Sequence, residues 1–92
     1  MTVASLRVRL LLRESRSLKD KRQVVRSIMD RLRSGFNVAV AEVDERDHRQ
    51  LVVLGVATVA EEASAAQATL ERVVNALRGH PIAEFLDHEF DD

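Results

Sequence analysis

The sequence predicts an α+β domain with the ferredoxin-like split β-α-β order: a four-stranded antiparallel sheet with two helices on one face. Its 92 residues suffice for one domain, 1–92. Two segments with helical spacing alternate with four strand-like segments, in the order strand-helix-strand-strand-helix-strand. Right-handed crossovers then place both helices on the same face and make the first and third strands central.

The first strand is predicted over residues 3–13, because leucine and valine occupy one alternating phase and arginine much of the other. A helix follows. Ser17 with Asp20 three residues later is typical of a capping box, and an apolar stripe at helical spacing continues to about Arg33. Gly35 then lies where a left-handed helix cap is expected.

Residues 36–90 supply the other four elements. A strand is predicted over residues 36–43, and the polar run 44–50 is predicted to be a hairpin loop. Residues 51–60 are apolar on both phases, which is typical of a central strand covered on both faces. A second helix is expected at about 62–78, and a final strand at 82–90.

One face of this sheet has no helix to cover it. We expect it to carry small and apolar residues of the second and third strands, and monomers rarely leave such patches exposed. A homodimer through the open sheet face is therefore expected, with a protein partner as the alternative. Arg7 and Arg9 are expected there near Asp87 and Glu89, and the sequence leaves open whether these charges pair. Phe85 is expected on the same face.

Charge is unevenly distributed along the chain, although the net charge is only −1. Residues 1–33 hold ten basic and three acidic side chains, whereas residues 34–92 hold four basic and twelve acidic ones. A basic half can attract phosphate or an acidic partner. The alternative is that the two halves form ion pairs with each other inside the folded domain.

The sharpest candidate site is the turn and start of the first helix. Free backbone N–H groups and the positive end of the helix dipole favour an anion there, and basic side chains add charge-assisted contacts. The candidate phosphate- or RNA-binding residues are Arg16, Ser17, Lys19, Lys21, Arg22, Arg26 and Arg33. The alternative is a well-capped helix with a solvated basic face.

No catalytic arrangement emerges from the sequence, so we expect no enzyme activity, no cofactor and no metal ion. The chain has no cysteine, and none of its serines lies in a nucleophile-elbow pattern. One group of acids and a histidine matches no metal-binding spacing and is better interpreted as a polar hairpin: Glu42, Asp44, Asp47 and His48. With no signal-like segment and no apolar run of about 20 residues, we expect a cytoplasmic protein without membrane contact.

Three segments carry a family resemblance: SRSLKDKR at 15–22, FNVAVAEVD at 36–44 and LGVA at 54–57. Together they make the chain resemble the bacterial YlxP-like family, a small domain of unknown function. The resemblance implies a ferredoxin-like fold. It also implies an RNA- or ribosome-associated role, because family members are often encoded near translation-initiation, transcription-elongation and ribosome-maturation factors. It implies no catalytic residues. The matching polar positions are Ser17, Lys19, Lys21, Arg22, Asn37, Glu42 and Asp44.

Two functional hypotheses follow. The first is a non-enzymatic binding protein that contacts RNA or a ribosomal subunit through the basic face of the first helix. The second is a homodimeric protein-interaction or small-ligand-binding module that uses the open sheet face. Salt-dependent association with RNA distinguishes the first from the second, which predicts a dimer without nucleic-acid binding.

Overall fold

A computed structural model describes residues 1–91 and contains the predicted series of elements. They are β1 (Thr2–Leu11), α1 (Leu18–Gly35), β2 (Ala39–Asp44), β3 (Leu51–Ala60), α2 (Ala63–Arg78) and β4 (Glu84–Asp91). The strands form one antiparallel sheet in the order β2-β3-β1-β4. The α+β ferredoxin-like arrangement is therefore confirmed, with β1 and β3 central as expected.

The core lies between one face of the sheet and both helices. Leu6, Val8 and Leu10 alternate along β1 with relative exposures of 1%, 0% and 0%. They join a single buried cluster with residues of α1 and α2 such as Ile28 and Leu70. Complete burial of each such side chain contributes about 1.5–3 kcal/mol, so alternation along the strand and helical spacing together hold the layers in place.

The ends of α1 follow from local hydrogen bonds. Ser17 is the N-cap, and its hydroxyl accepts a hydrogen bond from the backbone N–H of Asp20 at 3.1 Å. At the other end, the backbone N–H of Phe36 donates to the carbonyl of Leu32 at 3.0 Å. Gly35 is the last residue of the helix, and no glycine of residues 1–91 has a positive φ, so the expected left-handed glycine cap is wrong. The chain leaves the helix through extended backbone at Phe36 instead.

A bulge between β1 and β4 changes which face Phe85 occupies. Arg9 pairs with Asp87, but the next residue, Leu10, pairs with Phe85, so Leu86 is an extra residue. One extra residue reverses the alternation of side chains beyond it. Phe85 therefore packs against the buried cluster on the helix side, and its predicted place on the open face is wrong.

The sheet face opposite the helices, here called the open face, is divided across its width. The β2–β3 half carries small or apolar side chains, and a second bulge inserts Val43 between Glu42 and Asp44. Val43 lies over Gly55, where a Cβ would come within 2.8 Å of its Cγ1 atom. A side chain at position 55 would therefore force Val43 to move. The other half of the face, on β1 and β4, is charged.

Candidate functional site

A cleft of about 710 Å³ lies between α1 and the β2–β3 connection. We call it the arginine cleft and define it by Arg22, Arg26 and Arg33 on α1, Arg46 on the connection, and Glu42 on β2. Its volume lies within the range of about 300–1,000 Å³ typical of small-molecule sites. Four arginines line this concave surface together with the acids Asp30, Glu42 and Asp47, and the excess of arginine makes it the candidate binding site.

Helical spacing places three of these arginines along one side of α1. Arg22 and Arg26 are one turn apart, and Arg33 follows two turns later, about 16 Å from Arg22 along the axis. Arg22 and Arg26 are both exposed, and neither belongs to an ion pair within residues 1–91. Like charges one turn apart repel each other, so a bound anion between them would remove that repulsion.

Arg33 is partly occupied by the protein itself. Its Nη2 donates to the carbonyl oxygen of Val40 on β2 at 2.9 Å, and its Nη1 lies 3.5 Å from the carboxylate of Asp30. These contacts hold the last turn of α1 against the outer edge of β2. Arg33 therefore lines the arginine cleft with part of its hydrogen-bonding capacity already used.

Lys21 is buried rather than at the surface. Its side chain is 1% exposed, and its Nζ lies 2.9 Å from Oε2 of Glu42 and donates to the carbonyl oxygen of Glu45 at 2.6 Å. Lys21 therefore does not belong to the phosphate-binding surface to which the sequence assigned it. Its contacts tie α1 to β2 and to the β2–β3 connection.

The start of α1 is closed by capping contacts. Besides the Ser17 cap, the carboxylate of Asp20 accepts a hydrogen bond from the backbone N–H of Arg16 at 3.1 Å. Ser17 is therefore a capping residue. The side chains of Arg16 and Lys19 are exposed, so they extend the basic surface beyond the cleft toward the helix start.

The polar hairpin uses its acids and histidine to shape the backbone. Asp44 accepts a hydrogen bond from the N–H of Glu45 at 2.8 Å, and Nδ1 of His48 accepts from the N–H groups of Gln50 and Leu51. Within residues 1–91, no group of three or more His, Asp or Glu side chains is arranged to hold a metal ion. The carboxylate of Glu42 faces the ammonium of Lys21 instead.

His80 shapes the turn before β4 in the same way. Its Nδ1 accepts hydrogen bonds from the N–H groups of Ile82 and Ala83 at 3.2 and 3.0 Å. Burial, and secondarily the positive charge of Arg31, lower the pKa of His80. No pattern in the sequence predicts this role. In the structure, His48 and His80 each lie two residues before the first backbone N–H that their Nδ1 atom accepts from.

Two ion pairs join β1 and the residues just after it to β4: Arg9 with Asp87, and Arg13 with Glu84. We call this group the β1–β4 seam. Arg9 binds Asp87 through two nitrogens, with Nε–Oδ1 at 2.9 Å and Nη2–Oδ2 at 2.7 Å. The hydrogen bond from Arg9, more than its charge, lowers the pKa of Asp87. Arg7 lies opposite Glu89 in register but forms no ion pair within residues 1–91. The sequence left open whether these arginines pair with β4: Arg9 does, and Arg7 does not within residues 1–91.

An aromatic group on β4 was also missed by sequence analysis. The ring of His88 lies between Phe85 and Phe90, with centroid distances of 5.7 and 5.3 Å, and the guanidinium of Arg78 lies 4.5 Å above the Phe85 ring. His88 therefore packs among aromatic rings, as a structural histidine does. The bulge at Leu86 creates this group, and no local sequence pattern marks that bulge.

Asn37, one of the positions matching the YlxP-like pattern, joins the start of β2 to the end of β3. Its carbonyl oxygen accepts a hydrogen bond from the hydroxyl of Thr58 at 2.6 Å, and its amide lies 3.4 Å from the carbonyl of Val59. It lies outside the arginine cleft and acts as a structural residue. None of the helices within residues 1–91 is long and apolar enough to span a membrane.

Comparison with known proteins bears out the resemblance seen in the sequence. Residues 3–90 match the family model described as a protein of unknown function, DUF503. Over 68 residues the chain is 32% identical to the uncharacterized protein YlxP of Bacillus subtilis (strain 168), and the match covers 74% of each chain. The family match extends over nearly the whole chain, and neither similarity attaches an activity to it.

Proposed function

The chain belongs to the DUF503 family, whose function is unknown, and from its own surface we propose that it is a non-enzymatic RNA- or ribosome-associated protein. The arginine cleft would contact the phosphate backbone. Arginine suits this role because its planar guanidinium stays charged and donates to phosphate in a bidentate manner. One observation carries the proposal: Arg22 and Arg26 lie one turn apart on the exposed face of α1 and belong to no ion pair within residues 1–91.

The cleft and the helix start contribute unequally to the proposed contact. Arg22 and Arg26 are the principal phosphate ligands, and Arg46 approaches from the opposite wall. Arg16 and Lys19 extend the positive surface beyond the cleft. The partly occupied Arg33 contributes less than the other arginines. The proposed surface therefore follows one side of α1 rather than its N-terminus alone.

Sucrose-gradient sedimentation from cell lysate, at low and high salt, tests this proposal together with fluorescence anisotropy on single-stranded RNA. We expect co-migration with ribosomal subunits at low salt and its loss at high salt. Arg22→Gln with Arg26→Gln should weaken both associations. The matched control is Arg9→Gln with Arg13→Gln, which removes the same two charges from the β1–β4 seam and should leave both associations intact.

Two outcomes would refute the proposal. In one, the wild-type protein stays at the top of the gradient at both salt concentrations and binds no RNA. In the other, the cleft variant and the seam variant lose the same affinity, which would mean that only net charge matters. Circular dichroism of both variants would check that they are folded.

A second candidate function is a homodimeric interaction or small-ligand module that uses the open face. It is favoured by the β2–β3 half of that face, where Val43 and Val59 are 48% and 50% exposed. The neighbouring positions of these two strands on the same face carry alanine and glycine. This half contributes to a depression of about 300 Å³. Monomers rarely leave such apolar patches in contact with water.

Oligomeric state tests this second candidate. Analytical ultracentrifugation should show a dimer for the wild-type protein and a monomer for Ala41→Arg, which places a charge in the middle of the patch. Ala68→Arg, on the exposed side of α2, is the control and should remain dimeric. A monomeric wild-type protein, or an Ala41→Arg variant that dimerises normally, would exclude a dimer built on this face.

A further inference from the structure

We infer that Lys21 is a positioning residue for the arginine cleft: its buried ammonium holds the β2–β3 connection in the backbone conformation that places Arg46 across the cleft from α1. The inference rests on the proposed function, because Arg46 is one of the proposed phosphate ligands. Lys21 does not reach the ligand itself, since its side chain is 1% exposed.

The backbone of Glu45, the first residue after β2, is in an unfavourable conformation. Its φ is 53°, and no other residue within 1–91 has a positive φ. Residues with a Cβ are disfavoured in this left-handed region. Such a conformation persists only where neighbouring contacts hold it. The contacts at Glu45 therefore decide where the residues that follow it lie.

Three hydrogen bonds hold the backbone of Glu45. Its N–H donates to Oδ1 of Asp44 at 2.8 Å, and its carbonyl oxygen accepts from the N–H of His48 at 3.0 Å. Both bonds are local to the turn. The third comes from Nζ of Lys21 at 2.6 Å and joins the turn to α1. Removing the ammonium would leave the local bonds in place and take away this link to the helix.

The ammonium of Lys21 is itself held firmly. Its Nζ lies 2.9 Å from Oε2 of Glu42, whose side chain is 13% exposed. Hydrogen bonds from charged donors are stronger than those from neutral donors, and a poorly solvated environment strengthens them further. The bond to the Glu45 carbonyl therefore restrains the turn more than a solvent-exposed contact would.

Arg46 follows Glu45 directly and lines the arginine cleft. Its side chain is exposed and forms no ion pair within residues 1–91, so its position depends on the backbone that carries it. Holding a binding group in place before the ligand arrives reduces the entropy cost of binding. Lys21 therefore increases the affinity for phosphate through Arg46.

A charge-neutral double variant, Lys21→Met with Glu42→Leu, tests the inference. It removes the ammonium without leaving a lone buried carboxylate, and apolar residues of similar size often replace a buried ion pair without loss of stability. In fluorescence anisotropy on single-stranded RNA, we expect the affinity to fall about 5-fold at 0.1 M salt. The slope of log affinity against log salt should fall by about 0.7, the contribution of one phosphate contact. Arg9→Gln with Asp87→Asn is the control, because it removes an ion pair from the β1–β4 seam and should change neither quantity.

Arg46→Gln shows whether Lys21 acts through Arg46. In the wild-type protein this change should lower the slope by about 0.7, whereas in the double variant it should have little further effect. Additive losses would overturn the inference, because the two residues would then act independently.

A substitution at position 45 provides a rescue. Asparagine adopts the left-handed conformation more readily than most residues, so Glu45→Asn should restore part of the affinity that the double variant loses. Glu45→Gln removes the same charge without that preference and should restore less. Equal gains would mean that only the charge matters, and they would overturn the inference.

The NMR order parameter of the Arg46 backbone amide reports the turn in the absence of RNA. In the wild-type protein we expect about 0.85, as in rigid backbone, and a value below about 0.6 would overturn the inference even if the double variant fails to fold. Unchanged order and unchanged affinity in the double variant would also overturn it, and the proposed function would stand. If the wild-type protein binds no RNA, both the proposed function and the role in phosphate binding are refuted.

Discussion

The β1–β4 seam and the arginine cleft use arginines from the same basic third of the sequence in opposite ways. In the seam, Arg9 and Arg13 each meet a carboxylate of β4. In the cleft, Arg22 and Arg26 meet none within residues 1–91. A basic run in a sequence therefore forms two kinds of surface in the folded protein: one neutralised by ion pairs, and one whose arginines form no ion pair within residues 1–91.

The difference comes from the neighbours that each element has. A strand within a sheet faces another strand at close range, so opposite charges on adjacent strands meet directly. The side of α1 that lines the arginine cleft faces Glu42 of β2 and Asp47 of the β2–β3 connection, but neither acid forms an ion pair with Arg22 or Arg26 within residues 1–91. Lys21 is the intermediate case, because it lies on α1 but turns inward to Glu42. Sequence-level charge counting cannot separate these three situations.

The largest loss of stability is expected at Lys21, whose charge is both paired and buried. Lys21→Ala leaves Glu42 without its counterion in a poorly solvated place, so the free energy of unfolding should fall by about 3–5 kcal/mol. Urea denaturation measures the change. Lys19→Ala, two residues away and exposed, is the control and should stay within about 0.5 kcal/mol of wild type. Equal, small losses for the two variants would contradict a buried ion pair.

The next largest effect concerns the salt dependence of RNA binding, which compares the arginines of the cleft directly with those of the seam. On single-stranded RNA, each phosphate contact contributes about 0.7 to the slope of log affinity against log salt. Replacing Arg22 and Arg26 by Gln should therefore reduce that slope by about 1.4, whereas replacing Arg9 and Arg13 should not change it. A lower slope for the seam variant would show that its ion pairs open on RNA, and the comparison between the two regions would fail.

A smaller effect concerns the acids of the seam. Arg9 and Arg13 lower the pKa values of Asp87 and Glu84, mainly through hydrogen bonds. The pKa of each of these carboxyls is lower in the folded protein than in the unfolded chain. The stabilisation that the two ion pairs give the folded state is therefore complete above the ordinary carboxyl pKa of about 4, and it is lost as pH falls through the folded pKa. Carboxyl titration by NMR should show the pKa of Asp87 return toward its usual value in Arg9→Gln. Arg22→Gln should leave it unchanged.

The smallest effect involves Arg31, a cation of α1 that belongs to neither region. It adds to burial in lowering the pKa of His80. The neutral imidazole caps a turn, and its pKa in the folded protein lies below the unfolded value of about 6.5. The stabilisation that it gives the folded state is therefore complete above pH about 6.5 and is lost as pH falls through the folded pKa. In NMR titrations, Arg31→Gln should raise the pKa of His80 slightly. If Arg22→Gln raises it equally, the effect is not local to Arg31.

Much of the fold was predictable because its signals are local. Alternation along β1, the helical stripe of α1 and the Ser17 cap each lie within a few residues, and the structure confirms all three. The left-handed cap at Gly35 was wrong because the helix extends through that residue. For the candidate site, helical spacing correctly placed Arg22 and Arg26 on one exposed side of α1.

By itself, the sequence determined the order of elements, the two buried helical stripes and the concentration of basic residues in the first third, since periodicity and composition are properties of neighbouring residues. Tertiary structure alone decided which charges are neutralised, that Lys21 is buried, and that Phe85 turns to the helix side. Arg9 and Asp87 lie 78 positions apart, and one bulge residue reverses every side chain beyond it. Pairing across such distances depends on strand order and register, which no local pattern encodes.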